Sequence, residues 1–93
     1  MNMTVHAKER SQQRGIEPMA LHLLQQYGKE LHDHRGARIM YFDKNSWKEM
    51  QRSEGKRAIR NLSEMLGIYA VFALEDDRVI TVGHNFKRKK TFH

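Results

Sequence analysis

Ninety-three residues, with 17 Lys and Arg against 11 Asp and Glu, give a formal charge of +6 and an isoelectric point near 9.9. A chain this short has material for one hydrophobic core, so residues 1–93 read as a single domain. The absence of cysteine excludes disulfides, thiol nucleophiles and thiolate zinc sites, and no run approaches the roughly 20 apolar residues that cross a bilayer. With no apolar secretion segment near Met1, the expectation is a cytoplasmic protein without membrane association. Mean hydropathy is low at −0.81, yet the apolar residues fall in periodic segments, which argues for a folded domain.

Thr4 caps a first helix running to about Arg14, and Gly15 supplies the left-handed residue that commonly ends one. Pro18 opens a second helix whose Ala20, Leu23, Leu24 and Tyr27 make an apolar stripe, stopping at Gly28. Lys29 to Asp43 then reads as a β-hairpin turning near His34, Arg35 and Gly36, with ARIMYFD as its second strand. Asp43, Lys44 and Asn45 form the exit turn. Ser46 and Glu49 have capping-box spacing for a third helix that ends at Gly67 and is interrupted at Gly55. IYAVFAL, the acidic turn Glu75, Asp76, Asp77, and RVITVG read as two strands central in the sheet, followed by the basic tail HNFKRKKTFH. The expected fold is α+β: a helical hairpin and one further helix on an antiparallel sheet of three to four strands. Its expected core is Leu21, Leu23, Leu24, Ile39, Leu62, Leu66, Val71, Phe72, Ile80 and Val82.

The charge balance is the footprint of a polyanion binder, with an acidic protein partner or a basic surface kept for solubility as the alternatives. His6, Arg10 and Arg14, at i, i+4 and i+8, share one helix stripe. Like charges at that spacing repel unless an anion lies against them, and an imidazole beside guanidinium forks suits a phosphate. The plain alternative is a solvated helix face neutralised by acids such as Glu9.

His84 ends the last strand. Phe86 among Lys87, Arg88 and Lys89 suits a single strand of nucleic acid, the ring stacking on a base while the cations follow phosphates. A solvated tail is the alternative, most of all for Lys89 and Lys90. Tyr41 and Arg38, on the second hairpin strand, are further candidates for nucleic-acid contact, against a core tyrosine with its hydroxyl at the rim. His32 and His34 share a strand face and could begin a metal site, but edge histidines near a turn are commonly plain polar residues, so neither metal nor cofactor is expected.

VHAKERSQQRGI and VITVGHNFKRKK together resemble small phage and plasmid proteins allied to the RelE/BrnT-like toxin superfamily: His-Ala, Arg four residues after the His, Arg-Gly-Ile, and a Gly-His-x-x-Lys-Arg exit from a hairpin. The resemblance covers both ends of the chain. It implies a RelE-like sheet, an RNA substrate, and possible antitoxin and ribosome partners, and it points to His6, Arg10, Arg14, His84, Lys87 and Arg88. The activity it implies is metal-independent endoribonucleolytic cleavage by a ribose 2'-hydroxyl. His6 and His84 would exchange general base and acid roles while Arg10, Arg14 and Arg88 stabilise the phosphorane. The rival reading is a non-catalytic basic module, either a nucleic-acid binder or an inhibitor occupying a partner's nucleic-acid site. A concave cluster of the two histidines with the arginines favours the enzyme, and a flat basic face with the histidines apart favours the binder.

Overall fold

The computed structural model describes residues 1–32, 35–60 and 65–84. The expectations for His34, Leu62, Phe86, Lys87, Arg88 and Lys89 lie outside these described residues. The elements are α1 (Val5–Arg14), α2 (Pro18–Tyr27), β1 (Lys29–His32), β2 (Ala37–Tyr41), α3 (Lys44–Glu54), α4 (Lys56–Ile59), β3 (Tyr69–Ala73) and β4 (Val79–Gly83). The strands pair antiparallel in the order β1-β2-β3-β4, which makes the fold α+β.

Local chemistry sets the helix ends. Thr4, in extended conformation, accepts the Ala7 N–H at the start of α1, and Gly15 closes the helix at φ 64°, a left-handed conformation that costs glycine little. Pro18 starts α2, where its missing N–H is no loss. α3 begins earlier than the Ser46 and Glu49 spacing suggests. Asp43 is its N-cap: the carboxylate accepts the Ser46 N–H at 2.7 Å while the Ser46 hydroxyl accepts the Asp43 N–H at 2.7 Å. The expected exit turn at residues 43–45 is therefore the first turn of the helix, because Asp43 caps and Ser46 supplies the reciprocal acceptor that Glu49 was expected to provide. Gly55, at φ 86°, ends α3 before α4 begins.

The helices cover one face of the sheet. Ala7, Ala20, Leu21 and Leu24 pack on Met40, Ala70, Phe72, Val79 and Val82, and Leu23 packs with Met50 and Ile59 beneath α3 and α4. Leu21, Leu23, Leu24, Phe72 and Val82 are buried as expected. Ile39, Val71 and Ile80 are only half-buried and Leu66 is exposed. Ile39 and Val71 are cross-strand partners on the sheet face that alternation turns away from Phe72 and Met40. Ile80 stands where the register of β3 with β4 shifts. Continuous apolar character suggested strands buried on both faces, whereas the described helices cover one.

β4 is also an edge strand rather than a central one. Its open side is taken by the N-terminal segment, with a parallel bridge between Met3 and Val79 and backbone hydrogen bonds from Thr4 N–H to Val79 O and from Val79 N–H to Asn2 O. An unpaired strand edge is a liability, and residues 2–4 cover it.

The Asp43 carboxyl is held below its ordinary value of 3.8, first by the Ser46 backbone N–H. A folded-state value below the unfolded one contributes stability in full above about pH 4, and that contribution is lost as pH falls through the folded value. Asp43→Ala is expected to cost about 1 kcal/mol at neutral pH. The deficit relative to the unsubstituted protein should shrink in melts taken from pH 6 down to pH 2, and a deficit independent of pH would contradict the capping role.

Candidate nucleic-acid interface

α1 runs beside β4 in the same direction, because Thr4 joins both. Its N–H bonds Val79 O, its hydroxyl donates to Ile80 O at 3.0 Å, and the same hydroxyl accepts the Ala7 N–H at 3.0 Å. The start of α1 therefore lies beside the start of β4, and the end of α1 beside the end of β4.

This packing decides where the two candidate histidines sit. His6 Nε2 is 3.1 Å from the Thr81 hydroxyl, near the start of α1. His84 Nε2–H donates to the Arg14 carbonyl at 2.8 Å, at the end of α1. Residues 6 and 14 are separated by about 12 Å along an α-helix at 1.5 Å per residue, so the rings are bonded at opposite ends of α1 and do not face one reacting phosphate. His84 satisfies one of the carbonyls that a helix C-terminus leaves unpaired. Its Nδ1 is the nitrogen left for other chemistry.

Arg10 and Arg14 keep their expected stripe with His6. Arg14 is exposed, whereas Arg10 is half-buried and its Nε, shielded from solvent, has no acceptor among the described residues. A guanidinium N–H shielded from water without an acceptor is a costly arrangement, and the Arg38 Nε is in the same state.

Arg38 and Tyr41 stand elsewhere. The Arg38 guanidinium lies 5.4 Å from the centroid of the Phe72 ring, bonds Asp77 at 2.7 Å and approaches Glu30 at 3.4 Å. It closes the open end of the core beneath two carboxylates, and its charge is committed there. Tyr41 is 9% exposed, so its ring offers little surface to a base. It shares a cross-strand row with Tyr69 and Gly83. Gly83 has a packing reason to be glycine, since a Cβ there would meet the Tyr69 ring at 2.7 Å. His32 faces Glu30 at 3.9 Å, and among the described residues no three His, Asp or Glu side chains gather as a metal cage.

The most basic helical surface among the described residues lies outside the residues that the sequence motifs single out. Residues 44–60 carry Lys44, Lys48, Arg52, Lys56, Arg57 and Arg60 against only Glu49 and Glu54. Lys44, Lys48 and Arg52 are exposed at i, i+4 and i+8 along one side of α3. Among the described residues only Arg52 of these six has an ion pair, at 4.0 Å to Glu49. Together with Lys87, Arg88, Lys89 and Lys90, this segment accounts for more than the whole net positive charge, the rest of the chain being slightly acidic. The signal was the i, i+4, i+8 spacing of cations, and it was hidden while Asp43, Lys44 and Asn45 were read as a turn.

Comparison with protein-family models, with curated proteins and with solved structures returns no match.

Arg38→Ala is expected to lower stability by about 1 to 2 kcal/mol through loss of the ring contact and both ion pairs. It should leave the affinity of the folded protein for RNA within about twofold, because that charge is already neutralised. Thermal melts and RNA titrations of the same variant check both halves. A large affinity loss with unchanged stability would return Arg38 to the interface.

Proposed function

We propose that this domain is an RNA-binding module that holds the phosphate backbone through the basic side of α3 and the basic segment that follows β4. The observation that carries the reading is the exposed stripe of Lys44, Lys48 and Arg52. Like charges four residues apart destabilise a helix by about 0.2 to 0.5 kcal/mol per pair, and Lys44 sits in the first turn, where the helix dipole disfavours a cation. Arg52, in the last turn and near Glu49, is favourably placed, but Lys44 and Lys48 oppose the stability of their own helix, and a polyanion reverses that repulsion. Separation of His6 from His84 also favours binding over a two-histidine cleavage mechanism.

Binding should weaken steeply with salt, because each phosphate contact releases counterions. Replacing Lys48 and Arg52 together by Ala should lower affinity and flatten the slope of log K against log salt by roughly one to two units. Lys87 and Arg88 replaced together should act in the same direction. Fluorescence anisotropy across a salt series provides the measurement. Affinity insensitive to salt, or unchanged in both double variants, would overturn the reading and leave an acidic protein as the partner class to examine.

A second reading, RNA cleavage of the toxin type implied by the sequence resemblance, is favoured by one feature: the His84 ring is bonded to the end of the helix that carries Arg10 and exposed Arg14. In this form a single histidine, acting through Nδ1, takes the 2'-hydroxyl proton as the 2'-oxygen bonds phosphorus, Arg10 and Arg14 stabilise the phosphorane, and the same ring returns the proton to the 5'-oxygen as the P–O5' bond breaks. Cleavage would then persist in EDTA and leave 2',3'-cyclic phosphate ends. His84→Ala would lower the rate by about 10² or more, and His6→Ala would have little effect. Tight binding with no cleavage, including on translating ribosomes, would eliminate this second reading and keep the first.

A further inference from the structure

α3 carries a second row of side chains beside its basic stripe. Trp47 follows Lys44 by three residues and Gln51 follows Lys48 by three, so on a helix each stands next to a cation of the stripe. Burial falls in order across this side of α3: Ser46 and Met50 are buried, Trp47 and Gln51 half-buried, and Lys44, Lys48 and Arg52 exposed. The row therefore lies at the rim of the core, between apolar packing and the cations.

Trp47 is held from the core side. It packs on the cluster of Leu23, Met50 and Ile59 and meets Phe42 edge-on, with ring centroids 6.4 Å apart and planes at 74°. A ring fixed in this way loses little freedom when a ligand lies against it. The indole N–H and the Gln51 side-chain amide have no hydrogen-bond partner among the described residues, and neither is shielded from solvent as Arg10 Nε and Arg38 Nε are. A tryptophan N–H usually finds a partner when it is buried, so this edge of the ring faces water. Packing accounts for one side of Trp47 and leaves aromatic surface, a donor and an amide beside exposed cations.

We propose that this row makes the ligand of α3 single-stranded RNA: an unpaired base lies on the Trp47 ring, Gln51 hydrogen-bonds the edge of that base, and Lys44 and Lys48 hold the adjoining phosphates. The inference rests on the RNA reading and narrows it. An unpaired base exposes a face for stacking and an edge for hydrogen bonds, whereas a duplex keeps its base faces stacked inside and offers α3 its phosphates.

Trp47 is the only tryptophan of the chain, so intrinsic fluorescence of the full chain reports this position. The probes are an RNA of about 12 nucleotides without self-complementarity, its duplex with the complementary strand, and inorganic polyphosphate, which carries the charge without bases. The single strand should quench Trp47 saturably, at the midpoint that anisotropy gives, and bind at least about fivefold more tightly than the duplex. Duplex and polyphosphate should bind in a salt-dependent way and leave the fluorescence unchanged. Trp47→Leu should weaken the single strand by about tenfold, with the salt slope unchanged and duplex affinity within about twofold, because stacking is lost and no phosphate contact is. Trp47→Phe, which keeps an aromatic face, should recover most of that loss, and Gln51→Ala should weaken the single strand by about threefold. Circular dichroism checks that the variants fold; if Trp47→Leu does not, the three titrations of the unsubstituted protein decide. RNA binding without quenching, equal quenching by polyphosphate, duplex bound as tightly as single strand, or unchanged single-strand affinity in folded Trp47→Leu would overturn this inference and leave the RNA reading intact. Absence of salt-dependent binding to all three probes would overturn both.

Discussion

The open edge of β4 is the constraint on which the arrangement of the molecule depends. A final strand with one side unpaired leaves a row of N–H and C=O groups to satisfy, and residues 2–4 satisfy the first of them through Met3 and Thr4. Thr4 then starts α1 while still bonded to β4, so the direction of the helix is set by the strand it covers. From that follow the burial of Ala7 against Val79 and Val82, the contact of His6 with Thr81, and the contact of His84 with Arg14. The distance between the two histidines is thus a consequence of edge protection.

Much of the fold was legible because its punctuation is chemical. Thr4, Gly15, Pro18 and Gly55 each act where their backbone preferences put them, and the helix-2 stripe of Ala20, Leu23 and Leu24 is buried. What sequence could not separate was one-sided from two-sided burial. Ile39, Val71 and Ile80 are as apolar as Phe72 and Val82, and only the pairing register shows that Ile39 and Val71 share the face turned from the helices. β4 looked central for the same reason, since an edge covered by a distant N-terminal segment bears the same residues as an interior strand.

The candidate site was less legible, because the type of a residue does not disclose its partner. Arg38 and Arg78 resemble free cations in the sequence. The first is spent on Phe72, Asp77 and Glu30, and the second forms a pair with Asp76, whose carboxyl is held below its ordinary value first by the Arg78 backbone N–H and then by the guanidinium. His84 resembled a catalytic group and serves as a hydrogen-bond donor to the end of α1. The lysines of α3 drew no attention, since a charge run on a helix is ordinarily a solvated face, and only the absence of ion pairs at Lys44 and Lys48 among the described residues separates them from that background.

Arg38 meets fixed partners with its planar fork, between two carboxylates over a ring. Lysine dominates the start of the α3 stripe, where a compact and strongly hydrated point charge can follow any phosphate without demanding a geometry. Contacts of that kind fix register and orientation on a nucleic acid but read no base. On the proposed function, the stripe supplies affinity shared by all sequences, and any preference among RNAs must be read by groups outside the stripe.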